Sequence, residues 1–495
     1  MNNNYLISIL TLALLYVGIS GEVRGQATTS WMTGVITDNN NGELPGASII
    51  AIHEPTGTKY GVSSRADGRY DIPNMKIGGP YTVDVSFVGY RPQKITDVYL
   101  TLGQKFNMDF QLDEEATNLE EVVVTAESGG VISKGRTGSE TSINNAQLKI
   151  LPTISRSASD IYRLTPQSDG NSFGGRNDQY NNFSLDGSIF NNPFGLDAAT
   201  PGGQTDAQPI SLDAIDQIQV SLAPYDVTLA GFTGAGVNAV TKSGTNKLAG
   251  TVFGFYRNQS LTGSKVSGTE IIVPDLTQFQ GGFSIGGPII KNKLFIFANT
   301  EIERREDAGT NVVAARAGVS GENVSRVSSA DLDAVRTALI GVGYDPGAYE
   351  GFKHDTENIK GILKLDWNIN EKHSLTATYN FLDASKEKPA HPSALGRRGP
   401  DVTTVQFFNS GYKINNKIQS GIIELKSIFS NKVSNKFQAG FTSFSDSKDP
   451  FSVPAPVINI NQDGIRAIVA GHEPCLLYTS LSPRDQRGSR MPSSA

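Results

Sequence analysis

The side chains that most often carry chemistry are few in this sequence, and they form no catalytic or metal-binding pattern. Cys475 is the one cysteine, which excludes a disulfide framework and a zinc cluster built from cysteines. The histidines are scattered, and none has the HExxH spacing of a zinc protease. They are His53, His354, His373, His391 and His472. Because no nucleophile, base and orienting group come together, the sequence predicts no catalytic residue, no metal site and no cofactor.

Two glycine-rich stretches are the next candidates for a binding site. Gly174-Gly175-Arg176 and Gly234-Ala235-Gly236 lack both the GxxxxGK[ST] pattern of a phosphate loop and its strand–loop–helix frame. Arg176 fits either a salt bridge within the fold or a charge that faces a ligand, and the sequence does not choose between these. The candidates for ligand-facing side chains in this region are Arg176, Asn177, Asp178, Tyr180 and Asp186.

Length and composition bound the class of protein. A chain of 495 residues is long enough for roughly two to four domains. The net charge of −6, without a concentrated basic block, excludes nucleic acid as the main partner. Charged residues make up 19% and hydrophobic residues 38%, a balance that fits transmembrane β-barrels, whose interior is polar. The 52 glycines fit a protein with many tight turns and closely packed strands.

Residues 1–25 have the pattern of a signal peptide. The apolar run from Tyr5 to Ile19 is shorter than the roughly 20 residues of a membrane span, and cleavage is expected before Gln26. The first four residues lack Lys and Arg, so an uncleaved N-terminal anchor remains the alternative. No cysteine follows the apolar run, which excludes a lipid anchor there. Export is the favoured interpretation.

Residues 28–112 alternate strand-like runs with turn signals about every ten residues, which predicts a β-sandwich of about seven strands. In the run from Tyr81 to Phe87, apolar residues recur at period two, as in a half-buried strand. Residues 26–115 resemble the carboxypeptidase-regulatory-like domain, which has a transthyretin-like fold. The resemblance rests on Gly34, Asp38, Pro45-Gly46-Ala47, Asp67-Gly68-Arg69-Tyr70 and Gly89-Tyr90. It implies no peptidase site.

Residues 116–126 join this domain to the rest of the chain. The segment is acidic up to Glu121, which favours a solvated, flexible tether. Val122, Val123, Val124 and Thr125 then form a β-prone run without a partner strand in its own neighbourhood. Such a run can add itself to the sheet edge of another protein. The alternative is that Val122–Thr125 is the last strand of the preceding sandwich.

The sequence of residues 127–246 predicts a compact α+β unit that is rich in polar loops. Short helical periods end at Pro152 and Pro166, and Phe183 to Gly187 predicts a strand that enters a tight bend. From residue 247 to 460, runs of about ten residues alternate apolar and polar side chains, and short turns alternate with long loops. That is the pattern of an outer-membrane β-barrel. The long connections near residues 304–356 and 384–403 are expected outside the cell.

The order of these motifs resembles that of the TonB-dependent outer-membrane receptors, and most closely the Oar-like group with its extra N-terminal domain. The resemblance implies a TonB box at Val122–Thr125, a plug domain at 127–246 and a partial barrel at 247–460. About eight barrel strands are visible, against about 22 in plugged transporters, so a truncated barrel is expected. Residues 475–495 lose all alternation and resemble translated cloning DNA. Because the predicted sandwich and the predicted barrel both consist of strands, the predicted fold class is mainly β: a transthyretin-like sandwich, an α+β plug and the first part of a barrel.

The resemblance implies a receptor that binds an extracellular ligand and imports it with energy from the inner membrane. Its expected partners are a TonB-type coupling protein in the periplasm, outer-membrane lipid, an unknown ligand and, as a further candidate, a surface lipoprotein. The alternative is a structural, adhesion or surface-assembly protein that uses the barrel as an anchor. An enzyme is the least favoured class, because no catalytic constellation is present.

Overall fold

The computed structural model describes residues 27–114, 122–125, 140–151, 153, 156–191, 200–222, 231–395, 401–430, 433–453 and 455–471. Within these ranges the chain is mainly β, which confirms the predicted class. The predicted signal peptide, most of the acidic tether and the predicted foreign tail lie outside the described residues. Among the described residues, helices are too short or too polar to qualify as membrane spans.

Residues 27–114, called here the N-terminal unit, form two sheets with their own core. Strand order in one sheet is β4-β1-β7, with β8 also paired to β1; in the other it is β3-β2-β5-β6-β9. Alternate side chains of the strands enter one buried apolar cluster that includes Met32, Ile49 and Val83. The strands are β1 (Ser30–Asp38), β2 (Ser48–His53), β3 (Thr58–Ser63), β4 (Arg69–Met75), β5 (Gly78–Ser86), β6 (Gln93–Leu100), β7 (Lys105–Asn107), β8 (Phe110–Leu112) and β9 (Val122–Thr125).

The last of these strands, β9, is the segment resembling a TonB box. It pairs in parallel with β6, from Gln93↔Val122 to Thr96↔Thr125. The expectation that this run lacks a partner strand is therefore wrong, and its position corresponds to the alternative of a last strand in the N-terminal sheet. The physical reason is that β6 would otherwise be an edge with unpaired backbone groups. A role of Val122–Thr125 as a handle stays a prediction.

Residues 140–241, called the central unit, contain a five-stranded sheet of order β10-β15-β16-β13-β14. The helix expected before Pro152 is present, and Asn144 and Gln147 form its capping box. The bend expected after Phe183 is present too, because Asp186 and Gly187 both have positive φ. The elements are β10 (Glu140–Asn144), α1 (Asn145–Ile150), α2 (Ala158–Tyr162), β11 (Ser168–Asp169), β12 (Ser172–Phe173), β13 (Asn182–Leu185), β14 (Ser188–Ile189), β15 (Ile215–Ser221) and β16 (Gly236–Thr241).

Seven long antiparallel strands form the large sheet, in the order β17-β20-β21-β24-β25-β27-β28. The sequence suggested about eight. Within the described residues the sheet is open, with β17 and β28 at its two edges. Its strands are β17 (Ala249–Asn258), β20 (Leu276–Ile290), β21 (Leu294–Ala308), β24 (Lys353–Asn368), β25 (His373–Lys388), β27 (Tyr412–Ser430) and β28 (Val433–Pro450).

The two ends of the large sheet differ. Residues 291–293 and 369–372 make tight turns at one end, called the short-turn end. At the other, the long-loop end, the connections carry elements with a separate apolar cluster around Leu332, Phe407 and Ile468. Those connections contain β18 (Lys265–Val266), β19 (Thr269–Glu270), β22 (Val313–Ala315), β23 (Val324–Ser328), α3 (Ser329–Gly341), α4 (Pro392–Leu395) and β26 (Val405–Gln406); β29 (Ile458–Gln462) and β30 (Ile465–Ala470) follow β28 at the same end.

The period-two pattern separates an outer face of the large sheet from an inner face. On β24, the outward side chains Leu363 and Trp367 are exposed, whereas Lys360 and Lys364 are buried on the inner face. The alternation expected from sequence is therefore present. The inner face is less polar than expected, because Phe297 on the neighbouring strand is only 4% exposed. It is covered by the central unit.

Candidate functional site

The central unit packs against the inner face of the large sheet through one apolar cluster. Phe297, Ile362, Leu382 and Ile418 of the sheet belong to the same buried cluster as the core of the central unit. Burial of this area stabilises the contact by about 25 cal/mol per Å² of apolar surface. The central unit is thus seated on the large sheet, whose seven strands are called the wall from here on, rather than loosely tethered beside it.

Asp186 forms a buried ionic contact between the central unit and the large sheet. It lies at the bend after β13, is 7% exposed, and accepts hydrogen bonds from the Thr241 amide at 3.0 Å and the Thr241 hydroxyl at 2.6 Å. Lys364 of β24 reaches the same place from the wall. Its Nζ is 3.6 Å from Asp186 Oδ1 and donates to the carbonyl oxygen of Thr241 at 3.1 Å. The carboxylate therefore ties two strands of the central unit to the sheet.

Glu301 of β21 lies further toward the long-loop end and contacts the central unit through a hydrogen bond, while its ion pair is with Lys360 of the same sheet. Its carboxylate accepts the Ser211 hydroxyl of the central unit at 2.5 Å and the Gln280 amide at 2.9 Å. Lys360 Nζ lies 2.8 Å from the same carboxylate, and both charged side chains are almost fully buried. Because the Glu301 carboxylate also accepts hydrogen bonds from Ser211 and Gln280, the Glu301–Lys360 pair meets the condition under which burial of charge is tolerated.

The surroundings in the interface shift the pKa values of two further carboxylates of the central unit. Burial raises the pKa of Asp216 above its usual value. At Asp213 burial acts in the same direction, but hydrogen bonds from Ser284, Thr251 and Lys242 outweigh it and leave the pKa below the usual value. Thr251 donates to Asp213 across the interface at 2.7 Å. One aspartate is thus held ionised by the wall, while its neighbour is pushed toward the neutral form.

The other predicted ligand-facing residues lie apart from Asp186. Arg176, Asn177 and Tyr180 lie on an exposed turn, where Asn177 caps a 3₁₀ turn spanning Asp178–Tyr180. Within the part of the chain that the structure describes, Arg176 forms no salt bridge to the wall, so of its two predicted roles the ligand-facing one stays a prediction. Because β13 leads from this turn to Asp186, the two groups lie at opposite ends of that strand.

The N-terminal unit contacts the interface from the short-turn end. Asn368 of β24 donates to the Thr58 hydroxyl at 2.9 Å. Gln217 of the central unit accepts the Leu102 amide at 2.9 Å and donates to the Leu100 carbonyl at 3.4 Å. Lys76 reaches Asp366 of the wall at 3.8 Å. All three parts of the chain thus meet at this end.

A cavity of about 510 Å³ lies where these three parts meet. It is lined by Lys76 and Thr56 of the N-terminal unit, Asp216 and Lys242 of the central unit, and Glu424 among the wall residues. Burial lowers the pKa of Lys76, although Asp366 opposes that effect. Burial, aided by the Lys76 charge, also lowers the pKa of the nearby His53 to about 3. His53 is therefore neutral at physiological pH, with Nδ1 in contact with the Thr56 hydroxyl at 2.7 Å.

The described residues do not assemble a metal site: no group of three histidine, cysteine or carboxylate side chains is placed to hold an ion. The chemistry available to the interface is non-covalent. Buried ion pairs and hydrogen bonds can hold the central unit against the inner face of the large sheet. The unit can be released when these contacts are broken.

The sequence singled out Asp186 as a ligand-facing candidate, whereas the structure buries it against Thr241 and Lys364, and the charged residues of the large sheet at this interface were missed. Lys360, Lys364 and Glu301 were visible only as polar members of alternating strands, and the signal that singles them out is a charge on the inward-facing phase. Phe297 carried the opposite signal, an apolar side chain on that same polar phase. Such exceptions mark the places where the inner face packs against another unit.

Comparison with known proteins identifies the parts of this chain. Residues 240–474 match the family model of the outer membrane beta barrel domain, and residues 32–113 match that of the carboxypeptidase regulatory-like domain. The TonB-dependent transporter Oar of Myxococcus xanthus is 24% identical over 376 residues, which are 72% of this chain and 33% of the relative. This chain is thus similar to a TonB-dependent transporter over most of its own length.

This chain spans about a third of the length of Oar. Partial likenesses to solved structures include the outer membrane transporter YddB from Escherichia coli, with 13% identity, 63% of this chain, 39% of that chain and a TM-score of 0.42. The ferric enterobactin receptor PfeA from Pseudomonas aeruginosa has 13% identity over 63% of this chain and 41% of its own, with a TM-score of 0.40. The barrel-domain match supports an outer-membrane location. Oar is a transporter rather than an enzyme, in agreement with the sequence interpretation.

Proposed function

We propose that the full-length protein is a TonB-dependent outer-membrane receptor that imports an extracellular ligand. The observation that carries the proposal is the central unit seated on the inner face of the large sheet by the buried contacts Asp186–Lys364 and Ser211–Glu301. A separate unit that packs on the inner face of a sheet through an apolar cluster and buried polar contacts, while the outer face of the sheet is apolar, suits a removable stopper in a membrane barrel. The likeness to Oar supports the same function.

The domain plan that we propose follows the sequence. A cleaved signal peptide occupies residues 1–25, a transthyretin-like sandwich 26–115, a linker with the TonB box 116–126, a plug 127–246 and the first part of an about 22-stranded barrel 247–460. Residues 475–495 are non-native. Open edges such as β28 are not tolerated in lipid, so membrane insertion needs further strands that complete the barrel.

The proposed mechanism divides the two ends of the large sheet. A ligand arrives from the long-loop end and meets the turn that carries Arg176, Asn177, Asp178 and Tyr180. A coupling protein in the periplasm pairs with Val122–Thr125 and pulls. The pull breaks the Asp186–Lys364 contact and moves or partly unfolds the central unit, which opens a path. Outer-membrane lipid surrounds the barrel, and a surface lipoprotein is a further candidate partner at the long-loop end.

The test of the proposal is binding of the purified periplasmic domain of the coupling protein to the full-length receptor. Val123→Pro removes one backbone N–H and fixes φ, so it should weaken binding by about tenfold or more. Ala116→Pro is the matched control, because it places proline in the same tether outside the strand, and it should bind like the parent. Equal binding by all three proteins, with normal surface display, would favour the alternative of a structural or adhesion protein.

A further inference from the structure

The N-terminal unit is fastened to both of the parts that must move apart during transport. Toward the wall, the Thr28 hydroxyl donates to Glu424 at 2.7 Å. The backbone amide of Asn246, in the segment that joins the central unit to the wall, donates to the Pro55 carbonyl at 2.7 Å. Toward the central unit, Asn238 donates to the Ala27 carbonyl at 2.6 Å. The unit therefore lies across the short-turn end, in contact with the central unit and the wall at once.

These fastenings are polar, whereas the core of the N-terminal unit is separate. The apolar cluster of that unit and the cluster of the central unit are distinct, and Ile428 alone among the described wall residues packs against the former. Contacts of this polar kind are typical of domains that move relative to one another. The N-terminal unit can leave the wall without exposing its own core.

The contact surface also encloses space. The cavity of about 510 Å³ has the size of a small-molecule site and is closed on one side by the N-terminal unit. Lys76 Nζ lies 3.8 Å from Asp366 Oδ1 there, and within the described ranges neither Lys76 Nζ nor Asp366 Oδ2 has a hydrogen-bond partner. At this point the N-terminal unit contacts the wall through an ion pair whose hydrogen bonding is incomplete. Such a contact is easier to open than a packed core.

The strand β9 links the contact between the N-terminal unit and the wall to the pulling force proposed above. Its four residues pair with β6, the outermost remaining strand of the sheet of the N-terminal unit. A force on Val122–Thr125 therefore acts on the N-terminal unit through the β6–β9 hydrogen bonds, and on the central unit through the chain. The N-terminal unit lies on the periplasmic side of the central unit, so it must be displaced first.

We propose that the N-terminal unit is an exit gate: it closes the chamber beneath the central unit, and tension on β9 swings it off the wall before the central unit yields. This inference rests on the proposed function, because the tension comes from the coupling protein. It assigns the regulatory-like domain a task in transport, namely that cargo cannot leave the barrel while Thr58 is seated against Asn368.

Thiol cross-linking in cells that carry the cysteine-free full-length receptor tests the gate. The pair Thr58→Cys/Asn368→Cys reports contact between the N-terminal unit and the wall. The matched control is Asn292→Cys/Asn368→Cys, which joins two turns of the wall, since Asn368 also donates to the Asn292 carbonyl at 3.1 Å. A third pair, Asp206→Cys/Lys386→Cys, replaces an ion pair between the central unit and the wall. The probe is a short bifunctional maleimide, added to cells in growth medium with or without a protonophore.

The gate predicts that the Thr58/Asn368 pair cross-links readily in de-energised cells and about threefold or more slowly in energised ones, because the seated population falls. Val123→Pro should abolish that difference, and the wall pair should not respond. Equal cross-linking of Thr58/Asn368 in both conditions, while the Asp206/Lys386 pair slows, would overturn the gate and leave the proposed function standing. No response of either pair would overturn both.

Discussion

Loss of the Lys364 ammonium should loosen the central unit on the wall. In Lys364→Met the Asp186 carboxylate keeps its two hydrogen bonds from Thr241 but becomes a buried charge without a counter-ion. Breaking a buried pair by removing one partner costs about 3–5 kcal/mol. The lower value is appropriate here, because Asp186 retains those hydrogen bonds. At 1.36 kcal/mol per decade, about 3 kcal/mol corresponds to a roughly 100-fold larger population of the opened state.

Native-state hydrogen exchange of the full-length receptor measures this change at the Thr241 amide, which donates to Asp186. The expected result is exchange about 100-fold faster than in the parent. Lys353→Met is the control, since Lys353 pairs with Glu306 at a site where both side chains are half exposed, and it should change exchange by less than about fivefold. Parent-like exchange at Thr241 in Lys364→Met would refute the view that this pair holds the central unit.

Three further predictions concern the N-terminal unit. Gln217→Ala leaves the Leu102 amide without its acceptor, at a cost of about 1–3 kcal/mol, and should speed exchange of that amide by about fivefold or more in the full-length receptor; an unchanged rate would contradict the contact. The pKa of His53 is lowered to about 3, so its contribution to stability is complete above the ordinary value of about 6.5 and is lost as pH falls from there toward 3; urea titrations of residues 26–114 should show this slope, and His53→Gln should flatten it. Gly34→Ala would place a Cβ 1.9 Å from the Met108 carbonyl oxygen and should cost about 3 kcal/mol or more, whereas Gly61→Ala meets nothing within 4 Å; equal Tm values for the two variants would show the packing to be wrong.

The alternation of the wall strands could be predicted from sequence because it depends on local geometry alone. Side chains at period two alternate between the faces of a strand, so Leu363 and Trp367 had to share one face and Lys364 the other. The bend at Asp186 was likewise visible from the Asp-Gly pair that follows Phe183 to Leu185. These features involve neighbours along the chain.

The contacts that define the site could not be predicted in this way. Asp186 and Lys364 are brought together by the seating of one unit on another, and no local pattern records which buried lysine meets which carboxylate. Phe297 broke the polar pattern of the inner face for the same reason. The parallel pairing of β9 with β6 joins segments separated by a tether, where composition predicted only a free β-prone run. This pairing depends on the open sheet edge that β6 offers. The sequence of β9 alone does not reveal such an edge.

Pulling on Val122–Thr125 of the full-length receptor in a supported bilayer, with the extension recorded for single molecules, tests the central claim most directly. The account predicts that the unit at residues 127–246 is drawn out while the barrel stays in the membrane, so the total gain in length approaches roughly 400 Å at about 3.3–3.6 Å per residue. Lys364→Met should lower the force at which that gain begins. Extraction of wall strands before any such gain, or rupture of the whole protein from the bilayer in one step, would contradict the claim that the central unit is a removable stopper.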